Sequence, residues 1–229
     1  MRPARIEISK TKNIPNPHIY ITALQDYVDW AFNEEQAPDL KGKWKSEVFK
    51  IAPDAPLDLE IGTGNGFFFA LRAKTHPARS LLGLEIKYKP LIQAIRRALD
   101  QTCTNMRIAR YDASFIEDLF AEHEIDDVFI HHPDPWNKVR RHKHRLLQPD
   151  FLNKLSKIQK PGSQLEFKTD SRDYFLWAEE QIAKSPYKVV RRTLDLHKSE
   201  WAPANFKTHF EKLFSEKRVE INYALLQNP

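Results

Sequence analysis

The feature that most limits what this chain can fold into is the run Leu57-Asp58-Leu59-Glu60-Ile61-Gly62-Thr63-Gly64-Asn65-Gly66. Its first five residues read as a strand. The next five hold three of the chain's six glycines, a density that only a backbone with a special task requires. Glycine lets the chain turn tightly and bring its N–H groups against a ligand. Phe67, Phe68, Ala70 and Leu71 then supply the apolar side of a helix. A strand, a glycine loop and a helix in that order place a ligand at a helix N-terminus, where unpaired N–H groups collect.

The same alternation continues. Ser80 to Glu85, Met106 to Ala109, Val128 to His131 and Gln164 to Lys168 read as strands. Helical spacing falls between them: Leu91, Ile92, Ile95 and Leu99, then Phe151 to Ile158, then Tyr174 to Ile182. Val189 to Leu194 and Val219 to Leu225 read as a closing antiparallel hairpin whose long insert carries His197, Trp201, Lys207, Thr208 and Glu211. Seven strands alternating with helices predict an α/β fold with a doubly wound, mostly parallel sheet. Ahead of it, residues 1–17 are polar, basic and broken by prolines, and Ile19 to Phe32 has the spacing of a helix. Trp44 sits in a basic stretch, and Pro53 and Pro56 mark the entry to the main domain. The expected organisation is an N-terminal arm and helical extension over 1–50 and one main domain over 51–229.

Cys103 is the only cysteine, which excludes an internal disulfide and a cysteine-built metal site and points to a reducing compartment. No apolar run follows the basic N-terminus or approaches bilayer length. A soluble, cytoplasmic protein is expected. Lysine and arginine number 36 against 31 acids, a net charge of +5, which favours an anionic partner.

Five acids stand at or just past strand ends: Glu60, Glu85, Asp112, Asp134 and Asp170. Ligands of open α/β sheets bind at those ends. The loop reads G-x-G-x-G with Phe67 next, so the third small residue of a dinucleotide fingerprint is missing, and no phosphate-binding lysine follows. Glu60 beside the loop would repel a pyrophosphate and attract a sulfonium or an amino group. S-adenosylmethionine carries both cations, which favours it over NAD. Glu85 lies at the spacing of a ribose-binding acid. Each acid also has a plainer role: Glu60 paired with a lysine, Glu85 capping the next helix, Asp112 closing an Asx turn, which for Asp112 is the weightier reading.

The stretch His131 to Arg145, HHPDPWNKVRRHKHR, adds a second chemistry. Pro133 and Pro135 stop a strand around one carboxylate, Asp134. Trp136 follows, and then Lys138, Arg140, Arg141, Lys143 and Arg145, with His142 and His144 among them. An acid beside an aromatic plane at the lip of a positive field suits one base of a polyanion held while its phosphates are gripped. A solvated basic face is the plainer alternative.

Taken together, Glu60-Ile-Gly62-x-Gly64-x-Gly66, Gly83-x-Glu85, Pro133-Asp134-Pro135-Trp136-x-Lys138 and Thr169-Asp170 with Tyr174 and Trp177 resemble the bacterial tRNA (guanine-N(7)-)-methyltransferases. Thr208-His209-Phe210-Glu211 is similar to that family's late Thr-x-aromatic-Glu motif. The resemblance spans about residues 50 to 215. It implies the Rossmann-like class I S-adenosylmethionine-dependent methyltransferase sheet and methyl transfer to a guanine in the variable loop of tRNA. It implies that Glu60, Gly62, Gly64, Gly66, Glu85, Asp112 and Asp134 contact the methyl donor and that Asp134 is catalytic. Lys138, Asp170, Thr208 and Glu211 would contact the target nucleotide, and Arg140, Arg141, His142, Lys143, His144 and Arg145 the RNA. No metal, no membrane and no obligatory protein partner are implied, and monomer and homodimer fit equally. His132 stands where the family has Phe, and Asn137 where it has Pro. A methyltransferase for another substrate and a non-catalytic RNA-binding module on the same fold are the competing readings.

Overall fold

Parallel strands covered on both faces bury nearly every residue, and the first unit of the structure shows this directly. The computed structural model describes residues 18–206, 211 and 219–229, and the chain divides after Ile125 into two units. In the first, β1 (Ala31–Phe32), β2 (Leu57–Ile61), β3 (Ser80–Leu84) and β4 (Met106–Ala109) are all parallel, in the order β1-β4-β3-β2. Every residue of β2 and β3 is buried. Of the two acids inside β2, Asp58 is neutralised by Arg72, whose Nη2 lies 2.9 Å from its Oδ2, and by Arg79.

Helices α1 (His18–Leu24), α2 (Phe67–Thr75) and α3 (Tyr88–Leu99) belong to the same unit. Phe69, Ala70 and Ala73 of α2 and Leu91, Ile92, Ala94, Ile95 and Ala98 of α3 form one buried cluster with Leu81, Met106, Ile108 and Cys103. Tyr20, Leu24, Tyr27 and Trp30 pack at its margin. The helix expected over Ile19 to Phe32 is shorter than its spacing suggested. It ends at Leu24, a 3-10 turn covers Gln25–Tyr27, and Ala31–Phe32 are extended. The free edge of β4 is the reason: Ile108 N donates to Trp30 O at 2.9 Å and Arg110 N to Phe32 O at 2.8 Å. A ladder available to an aromatic-rich segment overrides helical periodicity.

In the second unit, β5 (Val128–His131) and β6 (Gln164–Thr169) are parallel, while β7 (Lys188–Thr193) and β8 (Asn222–Gln227) run antiparallel in the order β5-β6-β8-β7. Helices α4 (Pro149–Ile158) and α5 (Arg172–Ile182) complete it. Ser171 caps α5 by accepting Tyr174 N on its hydroxyl at 3.2 Å, which fixes where Tyr174 enters the core. The Phe167 ring lies 5.7 Å from Tyr174 and 5.9 Å from Phe175. The closing hairpin takes the antiparallel form that its sequence predicts. Eight strands are present among the described residues where seven were expected; the additional one is β1. No helix among those residues is long and apolar enough to cross a membrane.

Candidate active site

The first cluster stands at the carboxyl ends of β2, β3 and β4, all within the first unit. Gly62, Gly64 and Gly66 each have positive φ, at 80°, 52° and 74°. Gly62 N and Thr63 N both donate to Leu84 O, at 2.8 and 3.2 Å, so the loop is folded over the end of β3. Gly66 also has no room: a Cβ there would sit 2.3 Å from Ala94 Cα. At Gly62 and Gly64 an added Cβ would meet nothing within 4 Å, so that side of the loop is open.

Three oxygens at or just past the carboxyl ends of β2 and β4 are buried without a hydrogen-bond partner: Glu60 Oε2, Thr63 Oγ1 and Asp112 Oδ2. Leaving such an atom unpaired costs about 1–3 kcal/mol each, and three of them at the carboxyl end of the parallel strands mark a place built to receive donors. Burial, reinforced by the charge of Glu85, pushes the Glu60 carboxyl up to about 8. Glu85 accepts Gly64 N on Oε2 and Ile86 N and Lys87 N on Oε1, each at 2.9 Å. Burial raises its pKa against the pull of those three N–H groups. Asp112 makes the Asx turn expected of it, accepting Ser114 N at 2.9 Å on Oδ1, and still leaves its second oxygen over. Thr63 was not singled out by sequence, because the x positions of G-x-G-x-G admit many side chains.

The second cluster belongs wholly to the second unit. His132 follows β5 in the left-handed region, at φ 49°. Its Nδ1 donates to Asp170 Oδ1 at 3.3 Å, and its Nε2 lies 4.0 Å from Glu211 Oε1. Glu211 is fully buried and accepts from Asn205 Nδ2 at 2.7 Å, His197 Nε2 at 3.1 Å and Lys168 Nζ at 3.5 Å. Lys168, itself buried, also reaches Glu166 Oε1 at 3.3 Å, and Glu166 accepts from His131 Nε2 at 2.8 Å.

The two adjacent histidines are driven apart in protonation. Burial and then Lys168 bring His131 down to about 4. Burial also opposes charge on His132, but the Asp170 and Glu211 carboxylates outweigh it and raise its pKa. His132 in turn holds Asp170 below the usual carboxylate range. Lys168 and Glu166 were missed by sequence. Their signal was available: two opposite charges at alternate positions of a strand share a face.

Asp134, Lys138, Arg140, Arg141, Lys143 and His144 are exposed, and His142 is half-buried. Trp136 is half-buried with φ 44°, its ring 5.2 Å from that of His144 and 5.9 Å from the Arg141 guanidinium. Arg145 differs from the rest of its run in being buried. Thr208 lies outside the described residues.

Residues 54–224 match a family model described as a putative methyltransferase. The tRNA (guanine-N(7)-)-methyltransferase of Bdellovibrio bacteriovorus is 52% identical over 202 residues, which cover 88% of this chain and 97% of that protein. The chain belongs to the tRNA (guanine-N(7)-)-methyltransferase family. A second member, from Lachnoclostridium phytofermentans, is 35% identical to this methyltransferase over 206 residues, 90% of the chain and 92% of the relative. Among solved structures, a 16S rRNA (adenine(1408)-N(1))-methyltransferase mutant from Catenulisporales acidiphilia with cosubstrate SAM superposes with a TM-score of 0.56 at 16% identity, covering 83% of this methyltransferase and 90% of that chain. At that identity the likeness is one of fold, and it is the α/β methyltransferase fold that the alternation of strands and helices predicts.

Proposed function

We propose that this chain transfers the methyl group of S-adenosylmethionine to N(7) of a guanine in tRNA, in the variable loop. What carries the proposal is the trio of unpartnered buried oxygens at the carboxyl ends of β2 and β4, in a chain so closely similar to a tRNA (guanine-N(7)-)-methyltransferase along nearly its whole length. Residues 51–229 carry the methyltransferase domain and residues 1–50 an extension. The protein acts in the cytoplasm and needs no obligatory protein partner.

The methyl donor supplies, when bound, a methyl group on a cationic sulfur. Glu60 meets its positive charge, Glu85 offers its remaining lone pairs to ribose hydroxyls, and Asp112 Oδ2 accepts an N–H. The lone pair of guanine N(7) lies in the ring plane and carries no proton, so no base is required. The chain's work is therefore positioning and charge stabilisation. Asp134 accepts from the N1–H and amino edge of the guanine, which fixes the ring atom that faces the methyl group. Methylation leaves the base cationic, and Asp134 and Asp170 offset that charge as it develops. Lys138 and Thr208 contact the same nucleotide. Glu211, enclosed by Lys168, Asn205 and His197, acts from behind Asp170 through His132.

The test is incubation of the purified protein with total tRNA and the methyl donor, followed by nucleoside analysis. 7-Methylguanosine is the expected product, and Asp134→Ala should lose turnover by about 100-fold or more. No 7-methylguanosine from the wild type would remove the proposed reaction. Full turnover in a folded Asp134→Ala protein would take Asp134 out of the chemistry.

A further inference from the structure

We propose that Arg145 is a positioning residue that holds the Asp134 turn in place, and not one of the side chains that grip RNA phosphate. The inference rests on the reaction proposed above. Of the five lysines and arginines between 138 and 145, four are exposed and Arg145 is 1% exposed. A guanidinium withdrawn from the surface to that extent offers nothing to a phosphate outside.

Its donors are engaged inward. Arg145 Nε donates to Pro135 O at 2.8 Å, and Nη2 pairs with Asp173 Oδ2 in the first turn of α5. The guanidinium lies 5.0 Å from the Tyr174 ring and 5.0 Å from the Trp177 ring. Its third donor group, Nη1, has no acceptor, so the cost of burying this cation is met by the Asp173 charge and two aromatic faces. Tyr174 extends the hold along the chain, because its hydroxyl accepts Leu146 N at 3.0 Å and Leu147 N at 3.3 Å.

The chemistry of the turn explains why an arginine stands there. Pro133 and Pro135 have no N–H, so between them the backbone offers acceptors and only the single donor of Asp134. Such a segment is best fixed by a donor-only side chain, and Arg145 takes the carbonyl of the residue directly after Asp134. The turn is also strained at both ends: His132 and Trp136 have φ of 49° and 44°, a conformation that costs about 1–3 kcal/mol each and persists only where the surroundings enforce it. Without Arg145 the turn can relax, and the Asp134 carboxylate leaves the position that the guanine edge requires.

Steady-state methylation of tRNA at several salt concentrations separates the two roles. Wild type is assayed first; if it forms no 7-methylguanosine, the proposed reaction fails and this inference is not what failed. With active wild type, Arg145→Lys should lower kcat per folded molecule about 10- to 100-fold, the penalty for a misplaced reacting group. KM for tRNA and its dependence on salt should stay as they are. Arg141→Gln should do the reverse, raising KM and flattening the salt dependence. Asp173→Asn supplies the second arm, because that side chain is 68% exposed and its loss leaves the core intact; it should lower kcat in the same sense, by less. If Arg145→Lys does not fold, Asp173→Asn decides. A raised KM with flattened salt dependence in Arg145→Lys would make Arg145 a phosphate contact. Full kcat per folded molecule in both variants would make it a packing residue alone. Either result overturns the proposal.

Discussion

Glu60 is a carboxyl group in the wrong place for its own charge. Its pKa, pushed up to about 8 by burial and by Glu85, leaves it mostly protonated at neutral pH in the free protein. The sign of the consequence follows from linkage. From about pH 4.5 to about 8 the folded chain holds a proton that the unfolded chain has released, so this site's contribution to stability is present at low pH and lost as pH rises through that window. A cation placed beside Glu60 reverses the balance and expels the proton. Binding of the methyl donor should therefore tighten between about pH 6 and 8, by at most roughly tenfold per unit, with release of a proton. Calorimetry in buffers of different ionisation enthalpy measures both, and Glu60→Gln should abolish both. Affinity that stays flat over that range in the wild type would separate Glu60 from the cation. The acid itself was legible in the sequence, because a carboxylate before a glycine loop has few structural excuses. Thr63 was not, because a lone hydroxyl among glycines signals nothing until its oxygen is seen buried and unpaired.

At the scale of elements, legibility followed burial. β2 and β3 are enclosed on both faces, and the predicted bounds agree with the observed ones to within a residue. β1 has two residues, too few to show any period, and the helical spacing of its neighbours concealed it. The junction between the glycine loop and α2 is where the fold and the site depend on the same atoms. Gly66 is the N-cap of α2 in the left-handed region, and a Cβ there would meet the Ala94 backbone of α3 at 2.3 Å. Gly66→Ala should destabilise by about 1–3 kcal/mol through overpacking, with conformational strain added, and weaken methyl-donor binding as α2 is pushed off α3. Thermal unfolding with and without the donor reads both effects. An unchanged melting temperature would mean that α3 moves aside at little cost.

For the molecule as a whole, composition gave a direction and the fold gave it a location. A net charge of +5 favours an anionic partner, and Lys138, Arg140, Arg141 and Lys143 gather exposed charge on one short segment around the 3-10 turn Val139–His144. Replacing Arg140 and Arg141 by Glu should weaken tRNA binding by about tenfold or more at physiological salt, reduce its salt dependence, and leave donor binding unchanged. Filter binding at several ionic strengths, beside calorimetry, checks this; equal tRNA affinity would make the segment a solvated face. Sequence could not tell which basic residue turns inward, because Arg145 differs from its neighbours only in the carbonyl, carboxylate and rings that three-dimensional packing brings to it.

Cys103 has a use that no selection need have intended. The chain's sole thiol lies in the cluster between α2, α3 and β4, 5% exposed, its Sγ 3.6 Å from Ala70 O. A thiol reagent can reach it only when that layer parts, so the rate of labelling is a built-in clock for local opening. Because Ala70 belongs to the helix that begins at the glycine loop, anything that settles into the loop will slow the clock, and occupancy becomes readable without attaching a probe.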